Sequence, residues 1–117
     1  MATKDERAKL FADLKRTGEE AKKFGYIPGR FLQDLTSSDP LELVQRYVLS
    51  KNPSDGFQRL WMEGRLDLAV ENVAWLHRSL FPTAVIEAAK KRLAGGGFDV
   101  ETQVGSRSKS GRWPPQG

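Results

Sequence analysis

Asp39-Pro40-Leu41-Glu42-Leu43-Val44-Gln45-Arg46-Tyr47-Val48-Leu49 reads as the start and body of an amphipathic helix, and this stretch decides the fold class. Asp39 has the short acceptor side chain that satisfies free N–H groups at a helix start. Pro40 follows at a position where its missing N–H costs nothing. Glu42 lies three residues after Asp39, the spacing of a capping box. Leu41, Val44, Val48 and Leu49 then recur at the intervals of one helical face.

The same punctuation extends in both directions. From Lys4 to Phe24, the apolar positions Leu10, Phe11, Leu14, Ala21 and Phe24 form another helical stripe. Gly18 weakens that helix by about 1 kcal/mol relative to alanine and marks a point where it can kink or break. Gly25 supplies the left-handed residue that ends it. A short second helix is expected from Pro28, with Phe31, Leu32 and Leu35 facing inward. Beyond the third helix, Ser54 or Asp55 caps a fourth that carries Phe57, Leu60 and Trp61 and stops at Gly64. Asp67 is expected to cap a fifth, running through Val70, Val73, Ala74 and Leu76 towards Leu80. Thr83 opens a sixth through Ile86, Ala89 and Leu93, which Gly95-Gly96-Gly97 ends. Phe98 to Val104 alternates weakly, and with no partner strand evident it is expected as an extended arm.

The expected architecture is therefore all-α. A compact bundle of five or six short helices spans residues 1–104, and residues 105–117 form a disordered basic tail. The Gly, Ser, Pro and Arg of that tail cannot offset their own ordering entropy.

Composition bounds the function. The 117 residues suit one domain, and 38% hydrophobic content with three tryptophans and six phenylalanines excludes disorder throughout. The chain has no cysteine, which removes disulfides, thiolate nucleophiles and cysteine-ligated zinc. Met1 to Arg7 has no apolar segment of a signal peptide, and no apolar run approaches the roughly 20 residues that span a bilayer. A cytoplasmic protein without membrane contact is expected. The net charge of +4 is unevenly placed. Of 19 basic side chains, Arg107, Lys109 and Arg112 lie in residues 103–117, which hold no acid. The other 16 face all 15 acids across residues 1–102, leaving +1 there. A domain-wide basic footprint, the usual first sign of a nucleic-acid binder, is missing.

Ser54-Asp55-Gly56-Phe57, then Leu60-Trp61, then Gly64-Arg65-Leu66-Asp67-Leu68 and Glu71 resemble a recurring bacterial helical module. It occurs in small hypothetical proteins and as a segment of larger bacterial chains. Tyr26-Ile27-Pro28 with Phe31, and Leu80-Phe81, fit the same pattern, so the resemblance runs roughly from Tyr26 to Leu93. It implies an autonomous helical module and transfers no catalytic residue.

Catalytic constellations are sparse. His77 is the only histidine, and it reads as a helix-end residue near a negative dipole. Ser79 is two residues away and so sits on another face. Asp67 and Glu71, four apart, could share a face and act as an acid pair. The simpler reading has Asp67 capping and Glu71 paired with an arginine such as Arg65. Gly95-Gly96-Gly97 follows a helix and so places no helix N-terminus against a phosphate. No enzyme activity, cofactor or metal is expected.

Binding is the expected role. Phe57, Trp61 and Trp75 sit among aliphatics and read as core. Trp113, in Arg112-Trp113-Pro114-Pro115, is either an exposed interaction anchor or part of a tail without a role. Arg78 with Lys90, Lys91 and Arg92 can form a basic patch, or simply a solvated helix face. Two functions follow. The first is a non-catalytic protein–protein interaction or adaptor module working through a helical groove. The alternative is a nucleic-acid accessory protein that binds weakly and non-specifically through Lys90 to Arg92, with Arg107, Lys109, Arg112 and Trp113 of the tail.

Overall fold

Thr3 opens helix α1 (Lys4–Ala21) with a reciprocal box. The Thr3 hydroxyl accepts from the Glu6 N–H at 3.1 Å, and the Glu6 carboxylate accepts from the Thr3 N–H at 2.8 Å. The computed structural model describes residues 2–25 and 29–105. Gly105, expected as the first residue of the disordered tail, belongs instead to a short strand, while residues 106–117 of that tail and the Tyr26-Ile27-Pro28 helix opening lie outside the described residues.

The bundle continues with α2 (Gly29–Ser37), α3 (Pro40–Val48), α4 (Asp55–Met62), α5 (Val70–Leu76) and α6 (Thr83–Gly95). The all-helical expectation holds, with six α-helices among the described residues. Gly25 and Gly64 take φ of 82° and 70°, the left-handed stops expected after α1 and α4. A Cα radius of gyration of 13.3 Å is that of a compact globule of about 100 residues.

Several local expectations are corrected. Helix α1 runs through Gly18 without a break and tightens into a 3-10 turn only at Lys22–Phe24. Asp39 does cap α3, accepting from the Leu41 N–H at 2.8 Å, but its second carboxylate oxygen pairs with Arg7. The reciprocal box belongs to Thr3 and Glu6, while Glu42 stays exposed. In α3 the fully buried face is Leu43, Val44 and Val48, whereas Leu49, beyond the helix end, is 55% exposed. Asp67 does not cap α5. It lies in a 3-10 turn (Leu66–Leu68), and Ala69 is the N-cap of α5. Leu76, at the last position of α5, is exposed, and a separate 3-10 turn (Arg78–Leu80) leads to α6.

The arm after α6 is a minimal hairpin, not a lone extension. Strands β1 (Phe98–Asp99) and β2 (Val104–Gly105) pair antiparallel, Phe98 opposite Gly105 and Asp99 opposite Val104. The partner strand was hidden because the hairpin is held by a side chain far away in sequence. Gln103, at φ 59°, exchanges two amide hydrogen bonds with the buried Asn72 of α5, at 2.8 and 2.9 Å.

Two core clusters result. Leu10, Leu14, Leu43, Val44, Val73, Val85 and neighbours form one. Phe57, Leu60, Trp61, Leu68, Leu93, Phe98 and neighbours form the other. Helices α1 and α6 contribute to both, through Leu10, Leu14 and Ala21 and through Val85, Ala89 and Leu93.

Candidate functional site

The buried face of α1 changes character along its length. It presents Leu10 and Leu14, then Thr17, Gly18 and Ala21. Large side chains fill the first cluster, and small ones leave room beyond it. At that change a cleft of about 340 Å³ opens. Thr17 and Gly18 line it from α1, Phe31 from α2, Tyr47 from α3, Phe57 and Leu60 from α4, and Leu68, Val70 and Glu71 from the start of α5. Phe31, Tyr47 and Val70 pack on one core cluster, while Phe57, Leu60 and Leu68 belong to the other, so the cleft is the seam between the two. The Thr17 hydroxyl donates back to the Leu14 carbonyl at 2.8 Å and is not left as a free donor. Gly18 also permits close approach of α2, because a Cβ there would stand 2.8 Å from Leu32 Cδ2.

The polar groups of the cleft are partnered. Glu71 is 3% exposed, and its Oε2 accepts from Arg92 Nη1 at 3.1 Å. Burial pushes its carboxyl above the ordinary value of 4.5, and its own backbone N–H and the Arg92 guanidinium offset only part of that push. Arg92 reaches in from α6 with a side chain 13% exposed. It also donates to the Tyr47 carbonyl at 3.1 Å and the Ser50 carbonyl at 2.6 Å. One guanidinium thus fastens the cleft's back wall to the end of α3. Tyr47 stacks edge-on against Phe31, with ring centres 5.7 Å apart, and donates its hydroxyl to Asp34 Oδ2 at 3.2 Å. Burial, then the adjacent Asp34 charge, raises its phenol pKa from 10.0 to about 12. At the rim, Arg30 is almost fully exposed and stands 3.9 Å from Asp34, while Asp55 projects into solvent from the first turn of α4.

Asp67 and Glu71, whose spacing allows an acid pair, each bind an arginine instead. Asp67 takes a two-pronged bond from Arg65, at 3.0 and 3.1 Å, while Glu71 pairs with Arg92 instead of Arg65. His77 is the C-cap of α5, and its Nε2 lies 2.8 Å from Asp13 Oδ2 of α1, a link between two helices away from the cleft lining. Among the described residues, no three His, Cys, Asp or Glu side chains gather as a metal site would require.

The expected contact residues are dispersed. Arg78 and Lys90 both turn onto the half-buried Trp75 ring, at 4.5 and 5.5 Å from its centre. Trp75 is thus a partly exposed platform for two cations and not a fully buried core residue. Lys91 is exposed, and Arg92 is internal. Arg107, Lys109, Arg112 and Trp113 lie outside the described residues. Sequence reasoning missed the cleft, although its signal was present: on one face of α1, leucines give way to Thr17, Gly18 and Ala21.

No known family, curated protein or solved structure matches the chain. No helix among the described residues is long and apolar enough to cross a membrane.

Proposed function

We propose that this chain is a non-catalytic protein interaction module. It seats one large apolar side chain of a partner segment in the cleft over Thr17 and Gly18. The observation that carries this reading is the lining: aromatic and aliphatic walls around a single buried acid, Glu71, which Arg92 already neutralises from behind. A cleft of about 340 Å³ lies at the low end of the range for ligand sites, roughly 300–1,000 Å³, and suits an anchor side chain. Outside it, Asp55 and the Tyr47-bound Asp34 favour a partner with a cation beside its anchor.

The nucleic-acid alternative draws thinner support. Arg92, one of its three helix cations, is committed to Glu71, Tyr47 and Ser50. Selection of displayed peptides against the whole chain tests the preferred reading. Enriched sequences should share an aromatic or leucine anchor next to Lys or Arg. Phe31→Ala, which removes a wall of the cleft, should weaken them roughly tenfold, about 1.4 kcal/mol. Ligands that bind Phe31→Ala as well as the parent would overturn it.

A further inference from the structure

The cleft sits on a chain that carries a segment of matching chemistry. We propose that Trp113, in Arg112-Trp113-Pro114-Pro115, seats in the cleft of its own molecule, so that a partner must displace it. The inference rests on the reading of the cleft as a docking site.

Reach supports an occupant from the same chain. Gly105 belongs to β2, which packs against the Leu66–Leu68 turn, and Leu68 of that turn lines the cleft. The path from Gly105 to Trp113, at about 3.3–3.6 Å per extended residue, spans up to roughly 26–29 Å. Because the tether starts beside a turn that lines the cleft, it has to cover less than its full extended length, and the cleft lies within reach of Trp113.

Side-chain chemistry supports it as well. Residues 106–117 carry Arg107, Lys109 and Arg112 and no acid, while Asp55 and Asp34 stand by the cleft and Arg30 is already drawn to Asp34. Trp113 offers a large rigid ring at low entropic cost, and the two prolines after it limit the freedom that docking must remove. A short tether also holds the anchor at an effective concentration in the millimolar range, so a weak contact suffices for occupancy.

The test is fluorine NMR of the full chain labelled with 5-fluorotryptophan, which gives three signals, with Trp113 assigned by Trp113→Phe. The Trp113 signal should differ from that of a labelled peptide of residues 106–117. Its solvent-isotope shift should be less than half that of the peptide. It should move to the peptide position in Phe31→Ala and in Asp55→Lys, while unmoved Trp61 and Trp75 signals report an intact body. Dilution should leave it unchanged. A wild-type signal coincident with the free peptide, one insensitive to both variants, or one that reverts on dilution would overturn the proposal, the last by making a second copy the occupant. Free Trp113 with anchor peptides still held at Phe31 removes this inference alone. Free Trp113 with peptides indifferent to Phe31→Ala removes the cleft reading too.

Discussion

Arg92→Met is the perturbation that most directly tests how the cleft is held. The substitution keeps much of the aliphatic stem and removes the guanidinium, with its bonds to Glu71 at 3.1 Å, the Tyr47 carbonyl at 3.1 Å and the Ser50 carbonyl at 2.6 Å. Removing one partner of a buried ion pair costs about 3–5 kcal/mol, because the other is left charged and desolvated. Glu71, 3% exposed and already pushed upward by burial, can escape part of that cost by taking a proton. Stability therefore has a pH dependence of definite sign, already present in the parent. With its folded pKa raised above 4.5, Glu71 binds more protons in the folded chain than in the unfolded one between those two values. Unfolding free energy then falls as pH rises through that window, with a slope of at most about 1.4 kcal/mol per pH unit. Loss of Arg92 removes a factor that lowers the pKa, so the window widens upward relative to the parent. Glu71→Gln abolishes that slope and should cost less than Arg92→Met, since Arg92 keeps two carbonyl acceptors and part of its exposure to solvent. Placing Glu71→Gln on the Arg92→Met background should recover part of the loss. Urea titrations of the four proteins at several pH values measure all of this. A cost for Arg92→Met under about 1 kcal/mol, independent of pH and additive with Glu71→Gln, would refute the account.

Trp61→Ala, at a position 3% exposed, should cost about 3–5 kcal/mol in chemical denaturation. Asp39→Ala removes the α3 cap and the Arg7 ion pair and should cost about 1 kcal/mol, read as a lower melting temperature. Gln103→Ala leaves the buried Asn72 amide without its reciprocal partner and should cost about 1–3 kcal/mol, with faster amide exchange in the Phe98–Gly105 hairpin. Ultraviolet titration should show Tyr47, assigned by Tyr47→Phe, ionising near pH 12, and the stability held by its protonated form should decline as pH rises from 10 to about 12.

The elements legible in the sequence are those whose signals are local. Asp39 and Ser54 cap their helices through bonds spanning two or three residues, so the caps of α3 and α4 follow from composition alone. Asp67 misled because an acid before an apolar run has the same local signature. Its neighbours Leu66 and Leu68 are both buried, which winds the chain into a 3-10 turn, and Arg65 takes the carboxylate. The Glu71–Arg92 pair spans 21 residues and the Asn72–Gln103 exchange spans 31. Neither has a periodicity to betray it. The hairpin went unrecognised for the same reason: two residues per strand carry no pattern until Asn72 fixes Gln103 in place.

Gly18 shows how the site and the fold constrain each other. Helix propensity alone argues against it by about 1 kcal/mol, and alanine would recover that in an isolated helix. In the folded chain a Cβ would stand 2.8 Å from the Leu32 Cδ2 methyl, which would have to turn aside, and 3.4 Å from the Phe31 ring, an ordinary contact. Phe31 is a wall of the cleft and the edge-on partner of Tyr47, whose hydroxyl is fixed by Asp34. A Cβ at position 18 therefore takes space from the cleft floor and turns the Leu32 side chain aside, and only a residue larger than alanine would press on the Phe31 wall. A continuation of the leucine stripe would have joined the two core clusters into one, burying more apolar area at about 25 cal/mol per Å². The small residues Thr17 and Gly18 forgo that gain, and the space they leave is the feature of this bundle that helix packing by itself does not require.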